Sequence, residues 1–166
     1  MKPRQFKHLP MKTIASIFFL TSLAGATLQA RVGETIAQCE ARYGEPSKAL
    51  DGNTINFLKD GMVITVEHWA GKCVQITYCR EEPLPIDEIE LILEVNAVTT
   101  ADGKWTKRSG GLATITTWST TNRTRFAMYE TIGFTLVITD LKAIAPLNAH
   151  RDASSKASAS AKLKGF

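Results

Sequence analysis

Imidazole and thiol are scarce in this chain: three histidines and three cysteines among 166 residues. His8 falls in a basic leader and His150 at the border of a low-complexity tail, so only His68 lies in the body of the chain. A metal site draws on three or four clustered donors, and the reading is that no metal or other cofactor is bound. Acidic residues are missing from the first 30 positions altogether. No apolar run reaches the ~20 residues that a membrane-spanning helix requires.

The leader itself has a clear pattern. Lys2, Arg4, Lys7 and Lys12 precede an apolar run from Ile14 to Ala26 that ends in small residues. A basic head, a short apolar core and a small-residue exit are the parts of an export signal, so 1–30 is read as a cleavable signal peptide. Cleavage is expected after Ala26, at Ala24-Gly25-Ala26, or after Ala30, and Met11-Lys12 offers a second start. The alternative is an uncleaved anchor. Leu23-Ala24-Gly25 is followed by Ala26 where a lipoprotein would have cysteine, so no lipid anchor is expected and the product is read as periplasmic or secreted. Four of the 20 basic residues lie in this leader, which leaves 16 basic against 16 acidic in the remainder. A nucleic-acid surface rests on concentrated positive charge, and nucleic acid is excluded as a partner on that ground.

What remains reads as two runs of one helix followed by strands. Ile36, Cys39 and Tyr43 form a helical stripe, closed by Gly44 and Pro46. Strands are expected at Thr54–Leu58, Met62–Trp69 and Cys73–Cys79. A three-residue loop, Ala70-Gly71-Lys72, would put Ile64, Val66 and His68 on one face with Tyr78, Ile76 and Val74, whereas a one-residue slip would exchange the faces. Pro85, at the first helical position, opens a second helix over 86–96, with Ile86, Ile89, Leu93 and Asn96 inward. A short strand near Trp105 follows, then strands at Leu112–Trp118, Arg125–Tyr129 and Phe134–Thr139. The fold class is therefore α+β: two tandem helix-plus-antiparallel-β units (31–82 and 83–141), each a helix and three strands, in one compact domain. Residues 142–166 are assigned to a disordered low-complexity tail, since the Ala/Ser/Lys run from Arg151 buries too little apolar area to offset its ordering entropy.

The chemistry-bearing residues form no evident constellation. His68 as a general base, with Cys39 or Cys79 as nucleophile, would make a small hydrolase or thiol enzyme. Against this, Cys39 lies on the apolar stripe, where a thiol behaves as a small hydrophobe. Cys73 and Cys79 are about 20 Å apart along one strand and cannot bridge. With the helix packed on the Val74/Ile76/Tyr78 face, Cys39 reaches neither, and free thiols or an intermolecular bond are expected. Glu81-Glu82 and Asp87-Glu88-Glu90 read as a loop and a solvated helix face, and Ser109-Gly110-Gly111 is too short for a phosphate cradle. Asn122-Arg123-Thr124 matches a glycosylation sequon within a hairpin turn. Trp69 and Trp118 are candidate contact aromatics.

The helix from Gly33 to Tyr43, the Gly44-Glu45-Pro46 stop and the turn-rich hairpin after it resemble small exported modules of the SmpA/OmlA type. They also resemble the tandem modules of beta-lactamase inhibitory protein. Arg31-Val32-Gly33-Glu34-Thr35 with Gln38-Cys39-Glu40-Ala41-Arg42-Tyr43-Gly44 is similar to uncharacterised exported proteins of environmental bacteria. The resemblance implies a non-catalytic α–β protein that works by contact with a protein partner. A structural surface protein tethered by its tail is a further alternative.

Overall fold

In the computed structural model, residues 31–97, 103–108 and 112–163 are described. The proposed signal with Ala26 and Ala30, the Ser109-Gly110-Gly111 segment and residues 164–166 lie outside them. Among the described residues the fold is α+β, with three helices and one eight-stranded antiparallel sheet. Helix α1 (Ile36–Tyr43) precedes β1 (Lys48–Asp51), β2 (Thr54–Lys59), β3 (Met62–Trp69) and β4 (Lys72–Cys79). Helix α2 (Ile86–Asn96) precedes β5 (Trp105–Arg108), β6 (Ile115–Thr120), β7 (Arg125–Glu130) and β8 (Thr135–Asp140), and α3 (Leu141–Leu163) closes the chain. Four strands therefore follow each of the first two helices: one more than expected in the first half, and in the second the short strand near Trp105 with the three expected after it. The strand that escaped prediction, β1, has the sequence Lys-Ala-Leu-Asp, too short and too mixed to display a period of two.

The sheet order is β1-β2-β3-β4-β8-β7-β6-β5. Because side chains alternate along each strand, the register assembles continuous apolar rows across it. One row runs Ile55, Val66, Ile76, Ile138, Ala127, Trp118; its neighbour runs Phe57, Ile64, Tyr78, Leu136, Tyr129. These rows form the inner face, on which Cys39 and Tyr43 of α1 and Ile89, Ile92 and Leu93 of α2 are buried. Ile86, expected inward, is 57% exposed at the start of α2, and Ile92 takes the buried place. Pro85 is the N-cap of this helix rather than its first residue.

The β3–β4 hairpin departs from expectation in an informative way. Its loop has two residues, Ala70 and Gly71, with φ of 50° and 75°, the positive pair that a tight type I′ turn demands. A two-residue loop alone would misalign the apolar faces, but a bulge at Val74 restores them: Glu67 pairs with Gln75 and His68 with Cys73. Ile64 thus faces Tyr78 and Val66 faces Ile76 as expected, while Cys73 moves to the inner face and Val74 to the outer one.

On the outer face Val74 packs with Ile144 and Leu147 of α3, and Trp69 and Ala143 border the same cluster. Asp140 caps this helix, accepting hydrogen bonds from the Lys142 and Ala143 amides at 3.0 and 2.9 Å. Arg151, one stripe further along, pairs with Glu67 at 2.7 Å. The segment 142–151 is therefore packed helix, a correction to the tail boundary: two apolar residues at i and i+3 suffice when a capped helix meets a ready sheet face. Residues 152–160 continue the helix and are exposed. No helix among the described residues is long and apolar enough to cross a membrane.

Candidate functional site: an apolar groove at the sheet margin

A groove of about 910 Å³ opens on the inner face between α2 and the β5–β6 margin. Its lining includes buried Leu93 and Trp118 and half-buried Trp105. Trp118 comes to the inner face because β6 alternates, and Lys107 stands directly across from it on β5. Trp105 donates its indole N–H to the Leu93 carbonyl at 2.5 Å. That bond uses one of the last carbonyls of α2, which have no partner within the helix, and ties the marginal strand to it.

The two walls differ in charge. Ile86, Glu90 and Glu94 stand on the α2 side, and Lys104 and Lys107 on the β5 side. Gly103 sets the close approach of the second wall, with φ of 73° and its Cβ direction blocked by Thr121 Cβ at 2.7 Å. A glycine at this position supplies both the left-handed backbone and the missing volume.

A buried polar cluster fixes the far end of α2. The Asn96 amide donates to the Ile92 carbonyl at 2.9 Å and accepts from the Val32 N–H at 3.0 Å. Arg125 on β7 donates to the Asn96 carbonyl and to the Val32 carbonyl. The phenols of Tyr43 and Tyr78 meet at 3.4 Å, and burial holds the Tyr78 hydroxyl well above its ordinary range, with Tyr43 adding to the effect. The hydrogen bonds through Asn96 and Arg125 tie the end of the helix to Val32 and to β7.

The residues singled out from sequence fall in several places. Trp118 lines the groove, whereas Trp69 lies on the outer face with its ring 5.1 Å from that of His150. His68 is half-buried and paired across the hairpin with Cys73. Cys39 and Cys73 are both buried in one cluster on the inner face, close enough to perturb each other's ionisation, so Cys39 does reach another cysteine. The expectation that it could not assumed unbroken alternation in β4, which the bulge interrupts. Interaction between the two thiols draws Cys39 below the ordinary thiol range and, with burial, pushes Cys73 well above it.

The Cys79 thiol donates to the Gly133 carbonyl at 3.8 Å. Glu88 pairs with Arg80 at 2.8 Å, while Glu81, Glu82, Asp87 and Glu90 are exposed. Asn122 organises the β6–β7 turn, its Oδ1 accepting from the Thr124 amide at 3.0 Å. Among the described residues no group of three His, Cys, Asp or Glu side chains could hold a metal ion.

Trp105 escaped sequence reading as a groove residue, because only the pairing Lys107↔Trp118 reveals which face of β5 it shares. Protein-family models, curated proteins and solved structures were all compared with the chain, and none matches.

Proposed function

We propose that the chain is an exported, non-catalytic protein that acts in the periplasm or outside the cell by gripping a protein partner in the groove between α2 and β5–β6. The observation that carries this is the groove's chemistry: Trp105, Trp118 and Leu93 within, Glu90 and Glu94 on one wall, Lys104 and Lys107 on the other. Tryptophan in a desolvated depression is the residue type on which protein contacts concentrate. Walls of opposite charge suit a polypeptide, whose flanking side chains carry both signs, better than a ligand of one charge.

The occupant is an extended segment with one bulky apolar side chain. β5 ends the sheet and pairs only with β6 among the described residues. A segment laid along that margin can add to the sheet through its backbone while its side chain enters the groove. In this proposal the two helix-plus-four-strand halves are tandem units joined at β4 and β8, as the resemblance to tandem exported modules implies. The leader delivers the protein to the compartment where the partner resides.

The test is a photo-reactive residue introduced at Ile86, on the groove rim, in the full chain within its producing cells. Leu58, 64% exposed and on the opposite face of the sheet, serves as control. A discrete polypeptide adduct from position 86 and not from 58 is expected. Lys107→Glu should weaken it severalfold, and the purified, identified partner should shift the tryptophan emission. Adducts at 58 alone, or a lipid adduct at 86, would overturn the reading. Recovery of the chain in the cytoplasm with its leader intact would overturn the export part separately.

A further inference from the structure

We infer that Cys39 and Cys73 close an intramolecular disulfide as the chain folds, leaving Cys79 as the free thiol. The backbone brings the pair together. On one side of Cys73 its amide donates to the Glu34 carbonyl at 2.7 Å, and on the other its carbonyl accepts from Gly33 at 2.8 Å. Thr35 forms a bridge with Lys72, and the Cys39 amide returns to the Thr35 carbonyl at 3.1 Å. Cys39 therefore sits one helical turn above the residue that docks beside Cys73. Both side chains are buried in one cluster, 0% and 1% exposed, and the Cys73 thiol donates to the Gln75 carbonyl at 3.5 Å. Cys79 is half-exposed and lies six residues along the strand, near Gly133 rather than near α1.

The reaction is thiol–disulfide exchange with a small-molecule or protein disulfide as the oxidant. Cys39 loses its proton to solvent and attacks one sulfur of the oxidant, expelling one thiolate and forming a mixed disulfide. Cys73 then gives its proton to solvent and attacks the Cys39 sulfur, which forms the Cys39–Cys73 bond and expels the second thiolate. Two protein thiols lose two electrons and two protons; one disulfide becomes two thiols. Burial of both sulfurs closes the pair to large reagents once the fold is complete, so oxidation accompanies folding. The bond would join α1 to β4 and constrain a loop of more than thirty residues in the unfolded chain. Such closure shifts the folding equilibrium on the order of 100-fold or more.

The experiment refolds the full chain from denaturant with glutathione disulfide, in the wild type and in Cys79→Ser. Tryptic peptides alone cannot separate Cys73 from Cys79, since no basic residue lies between them, and Cys79→Ser resolves this. The folded Cys79→Ser protein should show the loss of two hydrogens by intact mass, no alkylatable thiol and a link between the Cys39 and Cys73 peptides. Its denaturation midpoint should fall on adding reductant. Cys39→Ala and Cys73→Ala, checked for folding by circular dichroism, should lose that reductant dependence. Two alkylatable thiols in folded Cys79→Ser after oxidative refolding would overturn the inference. So would a Cys39–Cys79 link, or a disulfide-bonded dimer joined through Cys39 or Cys73, as the main wild-type product.

Discussion

At the scale of single residues, most of what matters is a matter of where a side chain is allowed to point. Gly103 shows this at the groove wall, where any Cβ would meet Thr121 at 2.7 Å on a backbone of positive φ. Gly103→Ala is expected to lower stability by more than about 1 kcal/mol and to blunt binding at the groove, measured by urea denaturation and by the crosslink from position 86. A Thr35 capping box was written openly in the chain: Thr35 accepts from the Gln38 amide and Gln38 answers at the Thr35 amide. Glu34, next to it, takes the Arg42 guanidinium at 2.6 Å instead. The identity of a cap can be read from spacing; which of two adjacent polar residues finds a distant partner cannot.

At the scale of elements, α1, α2 and the long strands were legible because their periods are carried by large apolar residues. Met62–Trp69 was placed to the residue. What escaped was β1, whose four residues carry no period, and α3, which buries only two large apolar residues, Ile144 and Leu147, in its first two turns. Asp140 as N-cap of α3 was available to a reader of sequence, yet its meaning depends on Val74 facing outward, and nothing local announces that. Leu147→Ala should remove a fully buried contact in a small cluster and destabilise by about 2 kcal/mol or more. The loss should be concentrated on α3. Hydrogen exchange is expected to accelerate over 141–151 while the central strands β3, β4 and β8 keep their protection; uniform acceleration would show that α3 and the sheet unfold together.

At the scale of the whole molecule, the eight-stranded sheet could not be deduced from the two runs of elements. Sharing one sheet and packing two separate sheets both bury the same faces, and the choice was made by pairing β4 with β8. The groove follows from that choice, since it lies at the margin the second half leaves at the end of the sheet. Alkaline stability is a property of this common core. The Tyr78 hydroxyl, ordinarily near 10.0, is held well above that by burial and then by Tyr43. The folded protein keeps a proton that the unfolded chain loses, so Tyr78 leaves stability unchanged below its ordinary value and lowers it as pH rises beyond. In the reduced protein Cys73 acts in the same sense above its ordinary 9.0 and Cys39 in the opposite one. Denaturation midpoints should therefore drop beyond pH ~10 in the wild type, and the difference between wild type and Tyr78→Phe should be constant below that range and shift in the variant's favour above it.

The bulge at Val74 has a consequence for how such a chain can be edited. Every other residue of β4 from Lys72 to Cys79 has a partner on β3, and Val74 stands outside the ladder with its side chain among those of α3. Deleting its codon would join Cys73 to Gln75 with their faces already alternating, so the ladder, the two-residue turn and the Cys39–Cys73 contact survive. The expected product is a folded protein with α3 loosened from the sheet, detectable as faster proteolysis after Lys142 and Arg151 with an unchanged core. One codon thus separates a sheet with a docked terminal helix from one with a bare outer face, and gain or loss of that helix is a single genetic step.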